Sequence, residues 1–539
     1  MDSSARALNP HKHLKEQFVS NLNGSSMLEI AALSVVIPAI ILSFNFERPV
    51  TDASVEKNDG DILCGKIWRD CLATMAVDFL FIICPILLSL TVLAEWTPIS
   101  AILLATLVLF RIAGKGYGSS YLKGAPESFC TLRTNISSYR VAVMIATCLC
   151  ILAVDFNIFP RRYAKTETYG TSWDAITHFT YHMLSSLWYC GISTGDAVLL
   201  PCCRGKDPLV LYLTSNIINV SGVQSLYLIS TLESSMYQMD VGVGCFVLAN
   251  SLVSRQARNI PSSKWKNSVL SASPLIILGF GCLLSTVGVD YQFRTVLLVF
   301  TFSFLIELGD VWGNYYFRMF NNERRNEVHV GEYGVHWNFF FTLAAISILT
   351  STINIPPRYC GAVGFLVLIG YQICLLQGLN TYLLSEERGM DIISLNKEGI
   401  FSIFGIVFLS LLLGYWGMYL IGVYLGNYLF FGNQSTGRLN SSHWARIRVW
   451  ILSLFFWMLT VILDVERVSR RMCNLAYVTL VLAQSFQALG TLMLSDLIPG
   501  CRFSKLEEAF DRNLLAAFLL ANMLTGLVNL SLSHQPRRL

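Results

Sequence analysis

The sequence has 539 residues, of which 54% are hydrophobic and only 14% charged, with a formal net charge of +4 and a mean hydropathy of +0.53. About a quarter of an ordinary soluble domain is charged, so this chain lacks the polar groups to cover a globular surface of its size, and the bilayer must be its solvent. The small net charge gives no basis for a nucleic-acid partner.

The first 26 residues are polar and carry Lys12 and Lys15. No signal-peptide apolar region precedes a cleavage site there, so the first apolar run is read as a retained anchor. About 20 apolar residues cross roughly 30 Å of hydrocarbon. On that measure the candidate spans are 27–45, 72–93, 97–113, 141–156, 240–254, 268–288, 294–313, 336–353, 360–383, 400–430, 447–464, 473–494 and 514–532. The fold class is therefore an all-α polytopic membrane protein, with about thirteen transmembrane helices enclosing a lipid-accessible cavity. The 240–254 run is short and opens on a Gly-rich turn. It reads as a broken or partly re-entrant helix, tolerated only where protein or a cavity covers the backbone.

The Lys/Arg bias of the loops sets the orientation. With a luminal N-terminus, the loops at 46–71, 114–140, 255–267, 314–335, 384–399 and 465–472 and the 533–539 tail face the cytosol, and they hold most of the cations, among them Arg48, Lys123, Arg258, Arg325, Arg388 and Arg471. Glycosylation sequons at Asn433 and Asn440 then fall on the luminal side, and the sequon at Asn135 falls on the cytosolic side. The organisation predicted is a luminal 1–26, spans and a signature loop over 27–172, an interrupted stretch at 173–238, further spans over 239–532, and a cytosolic tail.

The junction after the fourth span, Asp155 to Thr171, is the most unusual segment. Asp155 closes an apolar run, and intramembrane carboxylates are costly and functional by default. Pro160 turns the chain so that Arg161, Arg162, Lys165 and Glu167 can fold back over the helix end. The plainer reading is an interfacial Asp capped by Arg161 or Arg162. Glu307 and Asp310 sit at i, i+3 in another apolar run and can share a helix face. His336 opens a span and reads more simply as a hydrogen-bonded structural residue. Asp174, His178 and His182 have i, i+4 spacing, but further ligands are unspaced and no metal site is expected. The 15 cysteines include many inside apolar runs, such as Cys148, Cys245 and Cys282, where they behave as small hydrophobes.

Lys15 to Ser25, the Asp155–Thr171 stretch, Met239-Asp240-Val241-Gly242-Val243-Gly244, Glu332 to Phe340, Asn396 to Ser402 and Thr525 to Asn529 resemble, in order, the motifs of the GPI-inositol acyltransferase (PIG-W) family. The resemblance spans nearly the whole chain. It implies a multi-pass endoplasmic reticulum enzyme with about thirteen helices. Such an enzyme transfers a fatty acyl group, typically palmitoyl, from acyl-CoA to the inositol 2-hydroxyl of glucosaminyl-phosphatidylinositol in GPI-anchor assembly. Acyl-CoA is then a co-substrate, no cofactor is bound, and the partners are that glycolipid and membrane lipid. The resemblance makes Asp155 and Lys165 the catalytic pair. Arg161, Arg162, Glu167, Asp240, His336 and Asn338, all within the matching motifs, become the substrate-binding candidates.

The chemistry of these residues suits that role. An inositol hydroxyl is a weak nucleophile near neutral pH and needs a positioned base, which Asp155 at a desolvated boundary supplies. Lys165 can hold Asp155 ionised or stabilise a tetrahedral oxyanion. Arg161 and Arg162 offer planar donors suited to phosphate. No activated Ser or Cys is evident, which favours direct transfer over an acyl-enzyme. The chain departs from the family at 173–238, which reads either as an inserted luminal loop or as translated intron sequence, the latter favoured. Two other classes remain: a lipid or ion-coupled transporter using Asp155, Glu307 and Asp310, and an acyltransferase with His336 as base.

Overall fold

The computed structural model describes residues 26–47, 69, 72–118, 129–155, 158–160, 163, 238–260, 265–286, 337–385, 394, 396, 397, 399, 414–431, 442–463, 468–470, 472–497 and 504–532. All regular structure among them is helical. The helices are α1 (Met27–Glu47), α2 (Leu72–Leu90, with a π turn at Phe79–Ile83), α3 (Thr97–Gly118) and α4 (Phe129–Asp155). Next come α5 (Gln238–Leu252), α6 (Trp265–Thr286) and α7 (Phe339–Ile353). In α8, Pro357–Cys374 passes through a π turn, Leu375–Leu379, into Asn380–Leu384. α9 (Gly414–Gly426) continues as a π turn over Asn427–Phe431. The series ends with α10 (Ser442–Leu463), α11 (Leu475–Leu492), α12 (Lys505–Arg512) and α13 (Leu514–Leu532).

Among the described residues, seven helices are long and apolar enough to cross a membrane, and four shorter apolar ones accompany them. In lipid the backbone must satisfy its own polar groups, and the helix does so within a single segment. This is why each apolar run that is described becomes a helix. The expected span 294–313 lies outside the described residues, as does 400–413 at the head of the expected 400–430 span.

α1 and α11 form the centre. Ile30, Leu33, Val36, Ala39 and Ile41 of α1 are buried, and so are Ala476, Leu480, Val481, Ala483 and Phe486 of α11. The outer helices leave large apolar side chains uncovered: Leu80 and Phe81 on α2, Ile102, Leu103 and Phe110 on α3, Leu454, Phe455 and Met458 on α10. These outer faces are the surface a lipid solvent requires, since lipid tails are as apolar as leucine. Small residues then permit the close crossings. Gly364 of α8 lies against the carbonyl of Gly417 on α9, and Gly426 lies against the backbone of Leu252 at the end of α5.

Long-range hydrogen bonds fix the helix directions. Asn45 near the end of α1 donates to Glu507 of α12 at 2.9 Å, whereas Gln484 in the middle of α11 donates to the carbonyl of Ile30 at 2.9 Å. Asp496, past the end of α11, accepts from Asn135 near the start of α4 at 2.9 Å. So α1 and α11 run the same way and α4 runs against both. Strict alternation through the thirteen expected spans would set the first and the twelfth, α1 and α11, in opposite directions.

The discrepancy is located between α6 and α7. Asn338, which begins α7, donates to the carbonyl of Gly279 well along α6 at 2.8 Å. Ile355, just past the end of α7, accepts from Gln256 just past the end of α5 at 2.8 Å. Thus α7 runs back along α6, where the single expected span 294–313 between them would have made the two parallel. Residues 287–336, which connect these two helices, lie outside the described residues. α13 leaves from the Asn45 end, at which α12 is anchored, and therefore heads toward the end where α1 begins.

Ser453 of α10 donates to the carbonyl of Ala483 at 3.1 Å, and Trp450 lies against Gly490, so α10 runs against α11 and starts at the Asn45 end. Arg448, early in α10, sits 4.9 Å from the Tyr428 ring at the end of α9. The helix ends that flank Asn433 and Asn440 are therefore at the same end of the bundle as Asn135. Asn433 and Asn440 themselves lie outside the described residues.

Candidate active site

Three helix termini converge where the signature stretch leaves α4. α4 ends at Asp155, and past it Ile158 is exposed while Phe159 is buried. The amide of Tyr163 donates to the carbonyl of Pro160 at 3.0 Å, which closes a turn. Pro160 favours that turn because its fixed φ and missing N–H do not continue a helix.

The turn aims Tyr163 inward. Its ring is buried, and its hydroxyl donates to Glu29 Oε1 at 2.5 Å. Thr97 Oγ1 lies 3.4 Å from the same hydroxyl and donates to the carbonyl of Ala94 at 2.6 Å. Glu29 is in the first turn of α1, where its amide donates to Ser26 Oγ at 3.2 Å. A carboxylate in a helix's first turn interacts favourably with the helix dipole. The signature stretch is thus tied to the starts of α1 and α3 through one tyrosine.

The predicted site residues are placed as follows. Asp155 is the last residue of α4, and Asp240 lies in the first turn of α5, with both side chains outside the described set. Arg161, Arg162, Lys165, Glu167 and His336 lie outside it, as do Glu307 and Asp310. α5 comes close to its neighbours through its glycines: Gly242 faces Thr147 of α4, and Gly244 faces Val481 and Tyr477 of α11.

Asn338 is described, and its amide is engaged in the fold. Its Oδ1 accepts from the amides of Phe340 and Phe341 at 3.1 and 3.2 Å, while its Nδ2 donates to Gly279 O. This is an N-cap, in which a side-chain oxygen satisfies helix N–H groups that have no intrahelical partner. The seven described cysteines are free thiols, and no cluster of potential metal ligands occurs among the described residues.

Two further polar sites were not singled out from sequence. At the opposite end of α1 and α4, Glu507 is fully buried and accepts from Asn45 at 2.9 Å, Ser138 at 3.2 Å and the Ser504 amide at 2.9 Å. Asp78 of α2 accepts from the Leu506 amide at 3.1 Å beside it. Burial pushes the Glu507 carboxyl up from its ordinary value, against the pull of its hydrogen bonds. The readable signal was the spacing of Ser504 and Glu507, a capping box. Lys397, also fully buried, donates to the carbonyls of Tyr382 and Ser385 at 2.7 and 2.6 Å. It caps the C-terminus of α8, where a cation meets both free carbonyls and the negative end of the dipole.

Comparison with known proteins adds the family. The GWT1 family model matches residues 11–174, 235–296 and 322–535. The unmatched residues include 175–234 and 297–321, and the second of these covers most of the expected span 294–313. An uncharacterized protein of Arabidopsis thaliana, At4g17910, is 45% identical over 486 residues, covering 89% of this chain and 85% of the relative. The phosphatidylinositol-glycan biosynthesis class W protein of Dictyostelium discoideum is 29% identical over 534 residues, covering 97% of this chain and 92% of the relative. The glucosaminyl-phosphatidylinositol-acyltransferase PIGW of Bos taurus is 26% identical over 586 residues, again covering 97% and 92%. With its central helices, its buried signature turn and its full-length relatives all accounted for, this chain belongs to the GWT1 family.

Proposed function

We propose that this protein transfers a fatty acyl group from acyl-CoA to the inositol 2-hydroxyl of glucosaminyl-phosphatidylinositol, in the endoplasmic reticulum membrane. The observation that carries this reading is the match to the GWT1 family along most of the chain, with a relative matched over 92% of its length that is named a glucosaminyl-phosphatidylinositol-acyltransferase. Asp155 serves as the base that takes the inositol hydroxyl proton as that oxygen attacks the thioester carbonyl, Lys165 stabilises the oxyanion formed there, and the C–S bond then breaks to release CoA, whose sulfur takes up the proton. Arg161 and Arg162 bind phosphate, of the glycolipid or of CoA. The end of the bundle holding Glu29 and Tyr163 faces the lumen. Residues 175–234, outside the family match, are read as an addition to the family's sequence.

The test is an acyl-CoA-dependent labelling assay with glucosaminyl-phosphatidylinositol, on membranes from cells lacking their own enzyme. Asp155→Ala and Lys165→Ala are each expected to lower turnover by at least about 100-fold, the scale of a general base or an oxyanion donor. Wild-type rates in either variant would remove that residue from the mechanism. A wild-type protein with no acylation of the glycolipid would remove the reading itself.

A further inference from the structure

We infer that Glu29 and Tyr163 form a positioning pair that holds the signature stretch in its working geometry. The inference rests on the acyltransferase reading above and adds two residues to it, one of them far away in sequence.

Tyr163 lies within the signature, eight residues after Asp155 and two before Lys165. A stretch of that length leaving a helix end has many conformations, and fixing each residue costs about 1–2 kcal/mol of backbone entropy. The stretch needs an anchor to a rigid element, and the observed anchor is the Tyr163 hydroxyl on Glu29, with Thr97 Oγ1 next to it. Both partners begin membrane helices, α1 and α3. The Glu29 carboxylate is itself buried at 8% exposure. A buried carboxylate loses hydration, and a hydrogen bond to it is correspondingly favoured. Phe159, in the same turn, is buried in the apolar core at 6% exposure. One polar and one apolar contact therefore fix the turn between the two residues proposed to carry the reaction.

Neither Glu29 nor Tyr163 is assigned contact with the substrate. Their effect acts through the geometry of the stretch, where displacement by about 1 Å is worth up to about 100-fold in rate. That separates them from residues that merely hold the protein together.

The experiment uses the full-length protein in membranes, with rates normalised to folded protein measured by thermal challenge and gel filtration. Tyr163→Phe removes only the hydroxyl, and Glu29→Leu removes the acceptor while keeping the side chain's size. Each is expected to lower kcat by about 10- to 100-fold, with the KM for the glycolipid within about twofold of wild type, since the interaction lost matters to the chemical step. The double variant is expected to lose no more than either single one, because both remove the same bond. Glu29→Gln, which keeps an acceptor, is expected to recover most of the rate. Wild-type kcat per folded molecule in Tyr163→Phe would overturn the inference. So would losses that multiply in the double variant, or losses that appear only as less folded protein. Inactivity of the wild type would overturn the acyltransferase reading, and this inference with it.

Discussion

Glu507 has three hydrogen-bond donors and no contact with solvent. Burial raises its pKa above the ordinary 4.5, so the folded protein holds the proton more tightly than the unfolded chain does. The sign of the linkage follows. The stability it contributes is fully present below the ordinary carboxyl pKa and is lost as pH rises through the higher folded value. Glu507→Gln keeps an oxygen for the Ser504 and Asn45 donors and an amide that can donate to Ser138, and it cannot ionise. Its thermal midpoint in detergent is predicted to vary less with pH than that of the wild type, from the mildly acidic range to neutrality. Parallel pH profiles for the two proteins would refute the assignment. Glu29 shows how little of this is visible beforehand. It is an isolated carboxylate at the head of an apolar run, and its partner lies 134 positions away.

At the scale of elements, what distinguishes one helix from another is the residue at each crossing. A Cβ on Gly426 would sit 2.5 Å from the carbonyl oxygen of Leu252 and 2.9 Å from its Cα, atoms that cannot rotate aside. Gly426→Ala is therefore predicted to destabilise the protein by about 1–3 kcal/mol, as overpacked cores do. Gly114 of α3 has nothing within 4 Å of its Cβ position, so Gly114→Ala is the matched control, with a midpoint at or slightly above wild type. Both are read by thermal unfolding of detergent-solubilised protein, and equal shifts would contradict the observed crossing. Asn338 belongs to this scale as well. Its place in a matching motif made it a binding candidate, and in the fold it caps α7 and ties that helix to α6.

For the whole molecule, helix direction is the decisive quantity. The bond from Asn45 to Glu507 and the bond from Gln484 to Ile30 make α1 and α11 parallel. With α13 leaving from the Asn45 end, epitope tags at the two termini are predicted to be protected, or exposed, together when sealed microsomes are treated with protease. Protection of one tag alone would contradict the directions described here. The same geometry ties Asn135, whose side chain is buried against Asp496 and Ser495, to the end of the bundle that flanks Asn433 and Asn440.

Apolar content and run length were enough to show that the chain is a helical membrane protein and where most of its helices lie. Each apolar run must satisfy its backbone internally, and run length sets helix length. The family was legible as well, because its motifs are contiguous stretches of residues. The tertiary structure alone decided which helices are central, which way α7 and α11 run, and what holds the signature turn. Hydropathy is nearly identical for a lipid-facing helix such as α10 and a buried one such as α11, since both solvents are apolar. Direction inferred by counting spans inherits every miscounted segment before it. Glu29 with Tyr163, and Asn45 with Glu507, are pairs distant in sequence, and only folding brings them together.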